Sequence, residues 1–423
     1  MDFIEELRWR GMVHDLTPGI EKVLKNPGCS GYIGFDPTAD SLHIGSLVQI
    51  MTLVHFQRAG HKPIALLGGA TGMVGDPSGK SQERNLLDFD TLNKNVEGVR
   101  KQLTNFLQFS GSNSAEIVNN YDWLNTISFL DFIRDVGKHI TINYMLAKDS
   151  VKSRLEHGMS FTEFSYQLVQ GYDFYHLNRQ KNCVIQMGGS DQWGNIVTGT
   201  ELIRRKSGKE AYALTTPLIK KTDGGKFGKT EEGNIWLSKD RTSPYKFYQY
   251  WLNASDEDVA SYLKIFTLFN QKEIAELIRQ HEEVPHMRLA QKTLAADVTK
   301  RVHGVDELTN VLLASEILFG KATFETLNAL SEETFLQVFE GVPQAQISQD
   351  LLKKGIPIID LLVSESRFLT SNGEARREIK ANAITINKTR IDEQFVLTAK
   401  HLLNERYVLI GKGKKNNFIA VFN

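Results

Sequence analysis

Two short stretches hold side chains that could handle a polyphosphate: "LHIGS" at Leu42–Ser46 and "KFGKT" at Lys226–Thr230. His43 stands where an apolar helical pattern takes over. A helix N-terminus already favours phosphate through its unpaired N–H groups, and an imidazole there adds a directed donor. Lys226, Lys229 and Thr230 place two ammonium groups and a hydroxyl on a glycine-containing segment, and lysine binds phosphate as a point charge. Taken singly, His43 reads as a helix cap and the lysines as a solvated hairpin tip. Taken together they suit electrostatic catalysis at phosphorus, in which charge growing on a leaving pyrophosphate is neutralised without a covalent enzyme intermediate.

A third stretch, "GDPSGKS" at Gly75–Ser81, invites a nucleoside-triphosphatase phosphate loop. That motif requires glycine five positions before Gly79, and Val74 is there instead. "GATGMVG" likewise has the wrong spacing for a dinucleotide fingerprint. In "SYQLVQGYDF", Tyr166, Gln170 and Asp173 recur at i, i+4 and i+7 and so share one helix face. Polar groups in that array need partners if they are buried.

The elements that must position these residues alternate. "GYIGF" reads as a buried strand. "HIGSLVQIMTLVHFQRAG" reads as a helix with Ile44, Leu47, Val48, Met51 and Val54 on its apolar face. "KPIALLGG" is a second strand, and "CVIQMGGSDQWGNIVTGTELIRR" a further strand–loop–helix unit. This alternation predicts an α/β fold with a doubly wound parallel sheet, its ligands at the carboxyl ends of the strands, after Phe35, Leu67 and Met187. From Ser243 the chain turns helical, with N-caps expected in "NASDED" and "NQKE". Residues 321–350 read as a linker, and the tail carries strand-like "AITIN", "RYVLI" and "FIAVF".

Composition bounds the class. The 423 residues are 41% hydrophobic and 24% charged, ordinary for a globular protein with a real core. Only Cys29 and Cys183 occur, which excludes a disulfide framework or cysteine-rich metal site and fits a reducing cytoplasm. The first residues carry acids among their apolar positions and resemble neither a signal peptide nor a membrane span. The net charge is zero, yet residues 351–423 carry 13 Lys and Arg against 7 Asp and Glu. A basic end on an acidic body suggests a polyanion partner for that end alone.

"HIGS" and "KFGKT" resemble the HIGH and KMSKS signature pair of class I aminoacyl-tRNA synthetases. "YIGFDPTADSLHIGSL", "GGATGMVGDPSGK", "NNYDW", "GKHITINYMLAKDSV", "SFTEFSYQLVQGYDF" and "QMGGSDQWGNI" are similar, in order, to the bacterial tyrosyl-tRNA synthetases, and the resemblance runs through essentially the whole chain. It departs at Ser46, which stands where the signature has a second histidine; one serine hydrogen bond there implies tuned ATP affinity rather than lost activity.

The resemblance implies a Rossmann-like catalytic domain over 1–242, a helical anticodon-arm domain over 243–320, the linker 321–350, and a small α+β RNA-binding module over 351–423. It implies Tyr32 and Asp173 as partners of a tyrosine hydroxyl. Asp76, Tyr166 and Gln170 would hold its ammonium group, with Gln192 beside its carboxylate. Selecting tyrosine over phenylalanine needs such buried partners, a principle for which this family is itself the usual illustration. Thr38 and His43 would meet the γ-phosphate end of ATP, and Lys226, Lys229 and Thr230 its pyrophosphate, with Lys80 and Arg84 approaching. Gly34, Asp36, Gly45, Ser46, Gly189 and Asp191 would line the adenylate, and magnesium would arrive with ATP. "LLVSESRFLTSNGEARREIKANAITINKTRI" resembles an RNA-binding module first known from a ribosomal small-subunit protein. Arg376, Arg377 and Lys380 would form its positive ridge, extended by Lys388, Lys412, Lys414 and Lys415. The resemblance further implies a homodimer acting on tRNA. Other readings are a tryptophanyl relative, which Tyr32 with Asp173 suits less well, an RNA-dependent ATPase, and a non-catalytic RNA-binding protein.

Overall fold

The computed structural model describes residues 2–76, 78, 87–148, 151–152, 158–222, 224–225, 227–230, 233–319, 323–339, 342–413 and 416–423. The chain divides into two compact units, Met1–Thr242 with Gln249–Val302 and Ser243–Tyr248 with His303–Asn423.

The first unit is built on β1 (Asp15–Leu16), β2 (Ser30–Phe35), β3 (Lys62–Leu67), β4 (Glu116–Asn119), β5 (Cys183–Gly189) and β6 (Tyr212–Thr216). Across the sheet their order is β1-β6-β5-β2-β3-β4. β2 pairs in parallel with β3 and β5, β3 with β4, and β5 with β6, while β1 runs antiparallel at the edge. The chain winds outward from β2 one way and resumes at β5 the other way. A switch point therefore lies between β2 and β5, where the connections diverge and leave a crevice at the carboxyl ends. The expected doubly wound sheet is present.

The helix Ile44–Arg58 follows β2 and is buried nearly all round, from Ile44 through Gln57, rather than on a single face. It packs on β3 and on the helices Phe3–Trp9 and Asp256–Phe266, so it needs apolar residues on every side. Inside it, His55 is fully buried, and neither ring nitrogen has a partner among the described residues. Burial, followed by the charges of Arg10, Arg58 and Arg301, lowers its pKa from the ordinary 6.5 to about 3. With the folded pKa depressed, protons bind the unfolded chain first, so His55 costs no stability above its unfolded pKa and destabilises as pH falls below it. His55→Leu should therefore remove about 1 kcal/mol of acid destabilisation per pH unit below the unfolded value, seen as a flatter Tm-against-pH curve.

The helices Asp256–Phe266 and Gln271–Glu283 begin at Ser255 and Asn270, the caps expected from sequence. They lie in the first compact unit, which takes up Gln249–Val302 as well as Met1–Thr242. The buried Arg10 is one reason: its guanidinium donates to the carbonyls of Thr267 at 2.9 Å and Phe269 at 2.8 Å, satisfying the end of the first of these helices. The hairpin β7 (Lys229–Thr230) and β8 (Gly233–Asn234) also lies in this unit.

The second unit holds β9 (Gln344–Ile347), β10 (Ile356–Pro357), β11 (Ile384–Ile386), β12 (Thr389–Arg390), β13 (Val396–Leu397), β14 (Tyr407–Lys412) and β15 (Asn416–Phe422). Five of these form a sheet in the order β12-β11-β14-β15-β9, and β10 pairs with β13. The stretch 321–350 is not a plain linker. Its helices Phe324–Asn328 and Glu332–Val338 bury Leu327, Phe335 and Val338 against Tyr407, Leu409, Ile419 and Val421, and β9 adds a parallel strand to β15. The glutamines of "PQAQISQD" hid that strand, since only Ile347 in it is fully buried.

Candidate active site

A cavity of about 400 Å³ opens at the switch point. Tyr32 and Gly34 of β2, Gly189 of β5 and the following Asp191 and Gln192 line it, with Asp36, His43, Gly45, Ser46, Asp76, Tyr166, Gln170 and Asp173. Thirteen residues that the sequence singled out thus converge on one space. Thr38 is exposed, its N–H donating to the Asp36 carbonyl at 2.9 Å, and is not part of the cavity lining among the described residues. Lys80, Arg84 and Lys226 lie outside the described residues, as do the side chains of Lys229 and Thr230.

At the deep end, the helix Phe161–Lys181, opened by a Ser160–Glu163 capping box, delivers Tyr166, Gln170 and Asp173 from one face. Asp173 is buried, and its two oxygens accept from the Asn120 amide at 2.9 Å and the Trp123 indole at 2.8 Å. Burial pushes its carboxyl up to about 7, against the opposing pull of those two donors. Tyr32 is fully buried beside it. Burial, then the Asp173 charge, raises its phenol well above the ordinary range, so the hydroxyl keeps its proton. That hydroxyl has no partner among the described residues, a costly state for a buried polar atom unless a ligand completes it. The Gln186 amide oxygen, on the cavity wall, is buried and unpartnered in the same way.

One step outward, Tyr166 donates to Asp36 Oδ2 at 3.0 Å and Thr71 donates to Asp36 Oδ1 at 2.8 Å. Asp76 Oδ2 accepts from Gln192 at 2.6 Å, while its Oδ1 accepts from the Ser78 N–H at 2.9 Å. Asn195 Nδ2 lies 3.1 Å from Gln170 Oε1 and 3.4 Å from Asp76 Oδ1, tying the two groups together. The result is a ring of acceptors with Asp36 and Asp76 on it, suited to a cationic group. Sequence reasoning misses Asn120, Trp123, Thr71 and Asn195; "NNYDW" stands out as a block, but nothing in its spacing assigns its members to Asp173.

At the outer end, His43 does cap the helix Ile44–Arg58. Its Nδ1 accepts from the Gly45 N–H at 3.0 Å, which leaves Nε2 as the protonated nitrogen of the neutral ring. A Cβ at Gly45 would sit 2.7 Å from the imidazole, so only glycine lets the ring fold over the helix start. The cap and the phosphate role are thus compatible: the cap orients the donor.

In the second unit, Arg376, Arg377 and Lys380 are exposed on the helix Asn372–Lys380, although Arg376 pairs with Glu393 at 2.9 Å. Lys412, expected to extend the positive ridge, is paired with Glu374 at 2.9 Å and Glu378 at 3.2 Å. Lys388 is half-buried in the β11–β12 turn, and that burial lowers its pKa. Lys414 and Lys415 lie outside the described residues.

A switch-point cavity with a histidine-capped helix at its mouth defines, together with the sequence, a class I synthetase. The profile of "tRNA synthetases class I (W and Y)" matches residues 25–320, and that of the "Tyrosine--tRNA ligase SYY-like C-terminal domain" matches residues 334–420. Tyrosine--tRNA ligase of Flavobacterium psychrophilum is 57% identical over 425 residues, spanning 99% of both chains. That of Bacteroides fragilis strain ATCC 25285 is 57% identical over 428 residues, with both chains fully covered. The crystal structure of a C-terminally truncated Aspergillus nidulans mitochondrial tyrosyl-tRNA synthetase superposes with a TM-score of 0.69 at 32% identity, covering 75% of this chain and 94% of that one. The chain belongs to the tyrosine--tRNA ligase family.

Proposed function

We propose that this chain activates L-tyrosine with ATP and passes it to the terminal ribose of a tyrosine tRNA. The observation that carries the reading is the buried, unpartnered Tyr32 hydroxyl beside Asp173 at the closed end of the cavity. A phenol seated there accepts from Tyr32 and donates to Asp173, and an indole has no oxygen to offer. The ammonium group faces Asp76, Tyr166 and Gln170, which turns the carboxylate toward Gln192, Asp36 and the mouth. Asp191 accepts from the ATP ribose, and Gly34, Gly45, Ser46 and Gly189 leave room for the nucleotide.

The tyrosine carboxylate attacks the α-phosphorus of ATP, forming tyrosyl-adenylate as the bond to pyrophosphate breaks. His43 and Thr38, with Lys80, Arg84, Lys226, Lys229 and Thr230, stabilise the departing pyrophosphate, and magnesium enters as the ATP complex. A ribose hydroxyl of tRNA then attacks the adenylate carbonyl, releasing AMP. Alignment and charge stabilisation supply most of the acceleration in both steps. Arg376, Arg377 and Lys380 provide the phosphate-binding ridge for tRNA, with Lys388, Lys412, Lys414 and Lys415 as further cations.

The protein acts as a cytoplasmic homodimer in this reading; no helix among the described residues is long and apolar enough to cross a membrane. Phe129, Leu130 and Ile133 on one short helix, with Ile142 and Phe161 at the starts of two others, are 47–76% exposed. Phe129, Leu130 and Ile133, three exposed apolar side chains on one helix, are the basis for placing the association face there. Leu130→Asp should convert the dimer to monomer in analytical ultracentrifugation; a variant that sediments like a dimeric wild type would exclude this face. The activity itself is tested by tRNA charging with labelled tyrosine, which the reading expects to require ATP, magnesium and the tyrosine tRNA.

A further inference from the structure

We propose that Phe227 and Tyr250 are positioning residues that hold the KFGKT segment in register with the His43 helix, a role that presupposes the ligase reading above. The Phe227 ring enters an aromatic cluster from the segment 250–266. It stacks on Phe266 at 5.4 Å with 7° between planes, and meets Tyr262 at 5.3 Å and Trp251 at 6.0 Å. The next residue, Gly228, donates its N–H to the Tyr250 hydroxyl at 3.1 Å. Earlier in the segment, the Thr222 N–H and hydroxyl both donate to Asp258 Oδ1 at 3.1 Å. The segment is thereby pinned to two helices at three successive points.

From Gly228 the connection continues inward. Its carbonyl accepts from the Ile235 N–H at 3.0 Å, and the Ile235 carbonyl accepts from the Ile44 N–H at 3.0 Å. An unbroken line of hydrogen bonds thus runs from Tyr250 through Gly228 and Ile235 to the residue after His43. Gly228 has φ +79°, and a Cβ there would lie 3.0 Å from Ile44 Cγ1, so the two signature stretches touch only because this residue is glycine. Lys226 and Lys229 flank this pinned pair in sequence. A displacement of about 1 Å at charge-stabilising groups costs about 100-fold in rate. Anchoring by Phe227 and Tyr250 therefore sets where the backbone of Lys229, the residue after Gly228, stands relative to the His43 helix.

Single-turnover formation of tyrosyl-adenylate at saturating tyrosine tests this, with ATP varied and equilibrium tyrosine binding measured alongside. Phe227→Ala should slow adenylate formation at saturating ATP by at least about tenfold and leave tyrosine affinity unchanged. Phe227→Met, which refills the aromatic site with a flexible thioether, should restore the rate to within about threefold. Tyr250→Phe keeps the ring and removes the hydroxyl that accepts from Gly228, so it should slow the step about fivefold while leaving tyrosine affinity unchanged. A Tyr250→Phe rate equal to wild type, or rate and tyrosine affinity falling together in both anchor variants, would overturn the positioning role. A wild type that forms no adenylate would instead overturn the ligase reading.

Discussion

Asp173→Asn is expected to lower kcat/KM for tyrosine about 100-fold, because a charged acceptor for the phenol is lost and an amide N–H comes to face either the Asn120 or the Trp123 donor. Loss of folding is not the expected cause, since asparagine is isosteric with the carboxylate. The pH dependence separates the two. With the Asp173 carboxyl at about 7, the wild type carries an acceptor above that pH and a protonated acid below it. Tyrosine affinity should therefore weaken as pH falls through 7 in the wild type and stay flat in the variant, as isothermal titration would show. Stability runs the other way. A folded pKa raised above the ordinary 3.8 favours folding at acid pH and costs stability as pH climbs through 7. Asp173→Asn removes that titration, so its Tm should vary less than the wild type's as pH climbs through 7 while activity is lost.

Lys229→Ala should produce the second large effect, a loss of about 100-fold or more in adenylate formation with tyrosine affinity nearly intact. A cation that acts on the leaving pyrophosphate contributes in the transition state and hardly at all to the amino acid complex. Pre-steady-state adenylate formation and equilibrium tyrosine binding together check it. A collapse of tyrosine binding in this variant would show that the lysine segment has been misassigned.

The strand-end motifs were legible because a doubly wound sheet forces ligands to one edge, so "GYIGFDP", "LLGGATG" and "QMGGSDQ" had to meet. Tyr166, Gln170 and Asp173 were legible for a similar reason, helical spacing alone placing them on one face. Asn120 and Trp123 were not, because they reach Asp173 from 53 and 50 positions away, through the pairing of β4 with β3. The helix Ile44–Arg58 showed an apolar face but not its burial on every other side, which depends on the helix Phe3–Trp9 before it and the helix Asp256–Phe266 far after it. The tie between the helix Asp256–Phe266 and the start of the chain was hidden similarly, since Arg10 meets Thr267 across 257 positions. The partners of Lys412 were hidden for the same reason, Glu374 lying 38 positions before it. Local pattern revealed each element; the seams between distant ones are invisible until the chain is folded.

The most direct test of the central claim is tyrosine-dependent exchange between ATP and labelled pyrophosphate without tRNA, repeated with phenylalanine and tryptophan. Tyrosine alone should support exchange, which would show adenylate chemistry and selection for the phenol in one protein. Exchange with no amino acid, from folded protein with magnesium present, would contradict the account and leave His43 a helix cap only.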